Sequence, residues 1–189
     1  MALGVSNITA AKPGTSGPVF IAAAGTTPPT DATTSLGGSY TCLGSISDAG
    51  VTYSQEVDSS EIKRFGGDVV LTLQNGRTWT AQFTLIDALD VNVLKVVYGD
   101  SNVSGTLNSG ITSKGDGSEL ASHVWVFDYL LRDGAVERVV FPNAVVSAIG
   151  DTTYVDGDLV GYDITITGMP DSNGKSKYVY TKRAAGGSS

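Results

Sequence analysis

The dipeptide Asp133-Gly134 stands between two long apolar stretches, His123 to Arg132 and Ala135 to Phe141. Asp-Gly supplies the positive backbone φ that a tight hairpin turn needs, so the sequence predicts a β-hairpin here with long strands on both sides. No other local signal in the chain is as strong, and it commits the chain to a sheet-based core. Pro142 can break or edge the second strand before Asn143 to Ile149 resumes it. Composition points the same way: 24 glycines, with abundant Thr, Ser, Val and Asp, shift the balance toward strands and turns. At 189 residues the chain is near the usual size of one domain.

A second turn signal, Asn75-Gly76, lies between Val69 to Leu73 and Thr78 to Leu85 and predicts another two-residue hairpin. The strand after it alternates cleanly. Trp79, Ala81, Phe83 and Leu85 share one face, and Thr78, Thr80, Gln82 and Thr84 share the other. Upstream, Ser47 to Gly50 reads as a turn between Leu43-Ile46 and Val51-Ser54. Near the end, Leu159 to Thr167 reads as an amphipathic strand with Val160, Tyr162, Ile164 and Ile166 inward and Asp163, Thr165 and Thr167 outward. Lys177 to Thr181 adds a short edge strand.

Between Asp87 and Tyr98 the apolar period becomes helical: Asp87 can cap, Leu89, Val93, Val96 and Val97 recur along one face, and Gly99 ends the helix. Residues 1–40, rich in Ala, Gly, Thr and Pro, read as an extended arm with one strand at Val19 to Ala22 and a bend at Pro28-Pro29. Residues 100–122 read as a long loop with too few apolar side chains for a core. The resulting division is an arm over 1–40, one β domain over 41–183, and a flexible tail over 184–189.

The chemistry-bearing residues are few. Twelve basic against nineteen acidic residues give a net charge of −7, which disfavours holding nucleic acid through its phosphates. One cysteine, Cys42, precludes an internal disulfide and reads as a small buried hydrophobe. One histidine, His123, opens a strand and has no second base to serve. Asp151 to Asp158 lacks the ligand spacing of a calcium loop and reads as a turn. Gly66-Gly67-Asp68 lacks the Lys-Ser/Thr of a phosphate loop and reads as a bend. Glu56, Asp58 and Glu61 beside Lys63 and Arg64 have no apolar pocket to separate their pKa values, so they read as a solvated or inter-subunit charge cluster. No apolar run reaches membrane-helix length, and the N-terminus has no signal-peptide pattern, so a soluble, cytosolically made protein is expected. Neither catalysis nor a metal or cofactor is expected.

The order Val19-Phe20-Ile21-Ala22, Gly25-Thr26, Pro29 to Thr34, Leu43-Gly44 and Asp48 to Tyr53 resembles the opening of tail tube (major tail) proteins of siphophages. The resemblance continues through Glu61-Ile62-Lys63, Phe65-Gly66-Gly67, Val69-Val70 and the run Phe83 to Asp87 into Val93 to Gly99. It covers most of residues 18–100. Phe65 stands where the family usually shows Trp, and Ile86-Asp87 where it often shows Leu-Glu. What the resemblance implies is a mostly β fold of two packed antiparallel sheets, sandwich or barrel-like, with one flanking helix. It also implies subunits in six-membered rings that stack into a tube, a tape measure protein that sets length, and terminator and distal tail proteins at its ends.

A tube that passes DNA without gripping it needs a polar, non-basic wall. On that reasoning Thr80, Gln82, Asp163 and Thr165 are the bore-lining candidates, with Glu56, Asp58 and Glu137 behind them. The arm over 1–40 and the loop over 100–122, poor in core, are expected to order only against other subunits. The rival reading is a β-sandwich binding module, an adhesin or virion decoration protein. Such modules expose an aromatic platform, whereas Trp79 and Trp125 both fall on faces that read as core.

Overall fold

A computed structural model describes residues 8–183. Its strands are β1 (Ala11–Pro13), β2 (Val19–Ala23), β3 (Thr41–Cys42), β4 (Ile46–Lys63), β5 (Val69–Leu85), β6 (Val103–Thr106), β7 (Gly110–Ser113), β8 (His123–Leu131), β9 (Val136–Ile149), β10 (Tyr162–Gly168) and β11 (Tyr178–Lys182), with one helix, α1 (Val91–Tyr98). The fold is mostly β and antiparallel. Nine strands form one sheet in the order β3-β2-β8-β9-β10-β5-β4, with β1 also on β8 and β11 also on β9, while β6 and β7 form a second sheet.

The hairpin read at Asp133-Gly134 is the spine: β8 pairs with β9 from His123↔Ala144 to Leu130↔Val136. A 3-10 turn over Arg132–Gly134 joins them, with Gly134 at φ 74°, wider than the expected two-residue turn. Pro142 does not break β9. It lies at the β8–β9 register shift and where the other flank of β9 passes from β11 to β10, so no ladder needs its missing N–H.

The large sheet bends around its core without closing into a barrel. Tyr53 of β4 packs edge-on against Phe127 of β8 at 5.7 Å, and its hydroxyl meets that of Tyr129 at 2.7 Å. Phe83 of β5 packs edge-on against both Trp125 and Phe127. The alternation read from sequence holds: Ala81, Phe83, Leu85, Tyr162, Ile164 and Ile166 are all buried in this core. Helix α1 adds Val93, Leu94, Val96 and Val97.

Several sequence expectations are corrected. Asn75-Gly76 makes no turn, because β5 runs straight through it and pairs with β4 along its whole length. The reversal is at Arg64–Asp68, where Gly66 (φ 113°) and Gly67 (φ 97°) supply the left-handed backbone and Arg64 pairs with Asp68. A turn at Asn75 would pair β5 with itself and strand the second half of β4; the longer ladder wins. Ser47 to Gly50 likewise is a bulge inside β4, with the register jumping from Ile46↔Leu85 to Val51↔Phe83. The helix starts at Val91, capped by Asp90 accepting from the Asn92 N–H at 2.7 Å. Asp87 instead accepts the Ser45 N–H at 3.1 Å, and Leu89 is exposed.

Residues 100–122 are not all loop: they contain the β6–β7 hairpin, anchored by buried Val103. Within 1–40, β2 is buried in the core sheet against β8, so these residues need no other subunit to be ordered. The flexible tail proposed for 184–189 lies outside the described residues.

The outer side of β2, β8 and β9 carries a second apolar cluster, Phe20, Ala22, Val124, Val126 and Val140, packed by Leu36 and Tyr40 of the 24–40 segment. Arg138 pins that strap. It is 4% exposed, pairs with Asp128 directly across the ladder through Nε (2.6 Å) and Nη2 (2.8 Å), and gives Nη1 to the carbonyls of Asp31 and Thr34. Removing one partner of a buried ion pair strands the other charge, so Asp128→Ala is expected to lower stability by about 3 kcal/mol in urea unfolding.

Candidate assembly surfaces

Three surfaces remain once the core is accounted for. The first is a polar face. Antiparallel pairing puts Gln82 opposite both Thr165 and Thr52, Thr80 opposite both Thr167 and Ser54, and Thr84 opposite Asp163. Gln82 Nε2 donates to Asp163 Oδ2 at 3.0 Å, and Thr167 Oγ1 donates to Ser147 Oγ at 2.8 Å. The four bore-lining candidates, Thr80, Gln82, Asp163 and Thr165, therefore lie together on one face of neighbouring strands. Of the weaker candidates, Glu56 and Asp58 continue that face along β4. Glu137 does not: it lies opposite Tyr129 on the core side and accepts from Thr181 at 2.8 Å.

The second surface is an arm that sequence reasoning missed. Beyond Glu56↔Thr78, β4 and β5 leave the body as a two-stranded ribbon, roughly 25 Å long, in which every residue from Gln55 to Thr78 is exposed. The exposed residues include Val57, Ile62, Val69, Val70, Leu71 and Leu73, with Phe65 fully exposed at the tip. The sequence offers two runs of apolar alternation, Val69 to Leu73 and Trp79 to Leu85, with Asn75-Gly76 and Arg77 between them, and the turn chemistry of Asn75-Gly76 hides that they form one strand. The charge cluster Glu56, Asp58, Glu61, Lys63 and Arg64 lies on this arm, with Lys63 and Glu61 3.8 Å apart.

At the foot of the arm, the Lys177 ammonium sits 4.2 Å from the ring centre of Tyr53 and 5.2 Å from that of Trp79, a cation–π seat on both strands. Burial lowers the Lys177 pKa, partly offset by Glu137. Burial also raises the Tyr129 hydroxyl to about 12 and drives that of Tyr53 higher still, so the Tyr53–Tyr129 pair stays neutral at physiological pH.

The third surface is the pole at the opposite end of β5. The 86–90 segment leaves β5 after Leu85, and the 150–161 segment enters β10 opposite Leu85. Leu89, Tyr154, Val155 and Leu159 are exposed there.

Among the described residues no group of three or more His, Cys, Asp or Glu could hold a metal. A cavity of about 470 Å3 between the strap and the β8–β9 hairpin is lined by Arg138, most of whose donors are already engaged. His123 is half-buried at the start of β8, and Cys42 is half-buried against the outer apolar cluster.

A folded body with apolar surface at one pole and on an arm leaving the other is equipped for association, the property of a structural, self-assembling protein. The family model described as phage tail tube protein matches residues 1–185, and the chain belongs to that family. It is thus a structural protein of a bacteriophage tail that assembles with its own copies into a tube. No curated protein sequence matches the chain.

The strap over the outer apolar cluster carries an acid-sensitive contact. Asp31 accepts the backbone N–H groups of Thr33 and Thr34 and both their hydroxyls, which hold its carboxyl far below the ordinary aspartate value. A depressed folded pKa gives stability that is present above the unfolded value of about 3.9 and lost as pH falls below it. Asp31→Ala is therefore expected to lower Tm by a few degrees near neutrality. The gap from the parent protein should close as the pH is taken below about 4 in thermal melts.

Proposed function

We propose that this chain is the tail tube subunit of a siphophage: six copies form a ring, rings stack head to tail, and the bore is the conduit through which DNA leaves for the host. Assembly takes place in the host cytoplasm. The tape measure protein fixes the number of rings, and the terminator and distal tail proteins occupy the two ends. The chain catalyses no reaction; its work is done by its surfaces.

The observation that carries this reading is the arm. An isolated two-stranded ribbon is marginally stable in water, and one carrying six exposed aliphatic residues plus Phe65 is a liability for a protein that stays monomeric. A contact between unlike ends of identical copies does not close on itself and so propagates as a filament. The arm and the apolar pole are such unlike ends. The rival reading, a binding module, lacks support in the aromatics: Trp125 is fully buried and Trp79 is half-buried beneath Lys177.

Purified protein, concentrated and viewed by negative-stain microscopy, is expected to give rings or tubes of uniform width. Removing residues 57–77 and joining Glu56 to Thr78 through Asn-Gly should leave the melting transition near that of the parent and abolish tubes. Leu159→Lys at the pole should do the same. Tubes of normal yield from either variant would show that these ends do not make the contact.

For the conduit, a wall that carries Thr80, Gln82, Asp163 and Thr165 keeps DNA hydrated and mobile, whereas a basic wall would exchange counterions with it and hold it. Asp163→Lys is expected to leave assembly intact and slow DNA ejection from phage carrying the variant. The slowing should be largest at low salt, where screening is weakest. Unchanged ejection across salt concentrations would remove Asp163 from the bore.

A further inference from the structure

The register of the arm contains a reversal of sides. In the body, Tyr53, Ala81, Phe83 and Leu85 face the core, and Thr52, Ser54, Thr80 and Gln82 face out. Alternation alone would carry the odd-numbered apolar residues of β5 along the core side to the tip. Leu71 and Leu73 do not stay there, whereas Val69, past a second register shift at Val70, is back on the core side opposite Lys63. The ladder runs Glu56↔Thr78 and Asp58↔Gly76, then Ser59↔Gln74, so Asn75 is an extra residue with no partner. Ser60 Oγ donates to Asn75 Oδ1 at 3.3 Å, which puts the Asn75 side chain on the side of Ser60. Past the bulge, Ser60↔Leu73 and Ile62↔Leu71 continue the side of Thr52, Ser54, Glu56 and Asp58. An apolar stripe, Ile62, Leu71 and Leu73, is thus on the side of the polar face, while Ser59, Glu61, Thr72 and Gln74, together with Val57 and Val69, continue the core side.

We propose that the bulge at Asn75 serves to bring Leu71 and Leu73 of β5 onto the side of Ile62, so that the arm lays this stripe against the wall of a second copy in the next ring. The inference rests on the reading that the arm joins copies of the chain. A second copy is the occupant because the family self-assembles and because the pole of every copy, at the other end of β5, exposes Leu89, Tyr154, Val155 and Leu159. With the polar face toward the bore, the stripe points toward the tube axis as well. An arm overlapping the outside of the next ring then meets that ring's wall with its apolar side. Without the reversal, Leu71 and Leu73 would point away from the axis and from Ile62, where the next ring has nothing to offer.

Two variants of the full chain separate the side from the bulge. Deleting Asn75 removes the bulge yet leaves Ser60 opposite Leu73 and Ile62 opposite Leu71 on their present side. Inserting one threonine between Asp58 and Ser59 also removes the bulge, by giving Asn75 a partner, and keeps the same pairs but turns them to the core side. Cross-strand NOEs between Ser60 and Leu73 in the monomer report that pairing survives. The deletion is expected to form tubes at the parent's critical concentration, and the insertion to raise that concentration at least tenfold. A variant with no change of backbone, Leu71→Thr, Thr72→Leu, Leu73→Gln and Gln74→Leu together, moves the stripe by substitution and should match the insertion, whether or not the insertion keeps its pairing. Normal assembly by this fourfold variant, or failure of the deletion with its NOEs intact, overturns the proposal. Normal assembly by the chain lacking residues 57–77 instead overturns the arm reading beneath it.

Discussion

Burial on both sides of the β8–β9 hairpin is the constraint on which the rest of the molecule depends. On one side Trp125, Phe127, Val139 and Phe141 form the floor of the main core; on the other Val124, Val126 and Val140 are covered by the strap. A hairpin this apolar cannot sit at a surface, so every other element is recruited to cover it: β2 and β10 extend the sheet, β4 and β5 bend back over it, and α1 fills the open side. Arg138, a buried charge among these strands, is met across the ladder by Asp128 and above by two strap carbonyls. That solution satisfies the guanidinium and also fixes where the strap lies, which ties covering the outer cluster to neutralising the charge.

What could be read from sequence followed the reach of its signals. Period-2 alternation placed Phe83, Leu85, Ile164 and Ile166 in the core and Thr80, Gln82, Asp163 and Thr165 on the opposite face, because alternation is a property of a single strand and needs no partner. Turn signals did worse. Asn75-Gly76 has the chemistry of a hairpin turn, yet both residues are also tolerated in a bulge, and the choice between them is made by β4, more than ten residues away in the chain. Gly66-Gly67-Asp68, a bend by its sequence, is part of the reversal itself. Asp87 can cap a helix by its chemistry, yet Asp90 does that work; Asp87 is engaged by Ser45, a contact 42 residues distant in sequence. Local chemistry names what a residue can do, and long-range pairing selects among the options.

The arm shows why function was harder to read than fold. Val69, Leu71 and Leu73 have the same character as Ala81, Phe83 and Leu85 and stand in the same strand at the same spacing. Nothing in the strand itself says that the first three leave the body. Their exposure follows from where the body ends: β10 stops opposite Trp79, so β5 loses its second neighbour there and continues with β4 alone. Surface for a partner is thus defined by the absence of a third strand, a property of the whole sheet.

The same geometry separates the roles of the two ends of β5. Where β5 is flanked by both β4 and β10, its outward side chains are threonine and glutamine, paired with Thr165, Thr167 and Asp163; a polar sheet face between two neighbouring strands is stable without a partner and can meet water indefinitely. Where β5 has only β4, it exposes Val69, Val70, Leu71 and Leu73, and the ribbon has neither a third strand nor a packed face to hold it. Lys177, seated over Tyr53 and Trp79, marks the boundary and holds the foot of the ribbon to the body. In the proposed conduit, one strand would serve both a wall that must not bind and an arm that must, and the change of neighbour near Trp79 divides them. The proposed tube needs both in each subunit: inert surface toward what passes through, and adhesive surface toward the next copy.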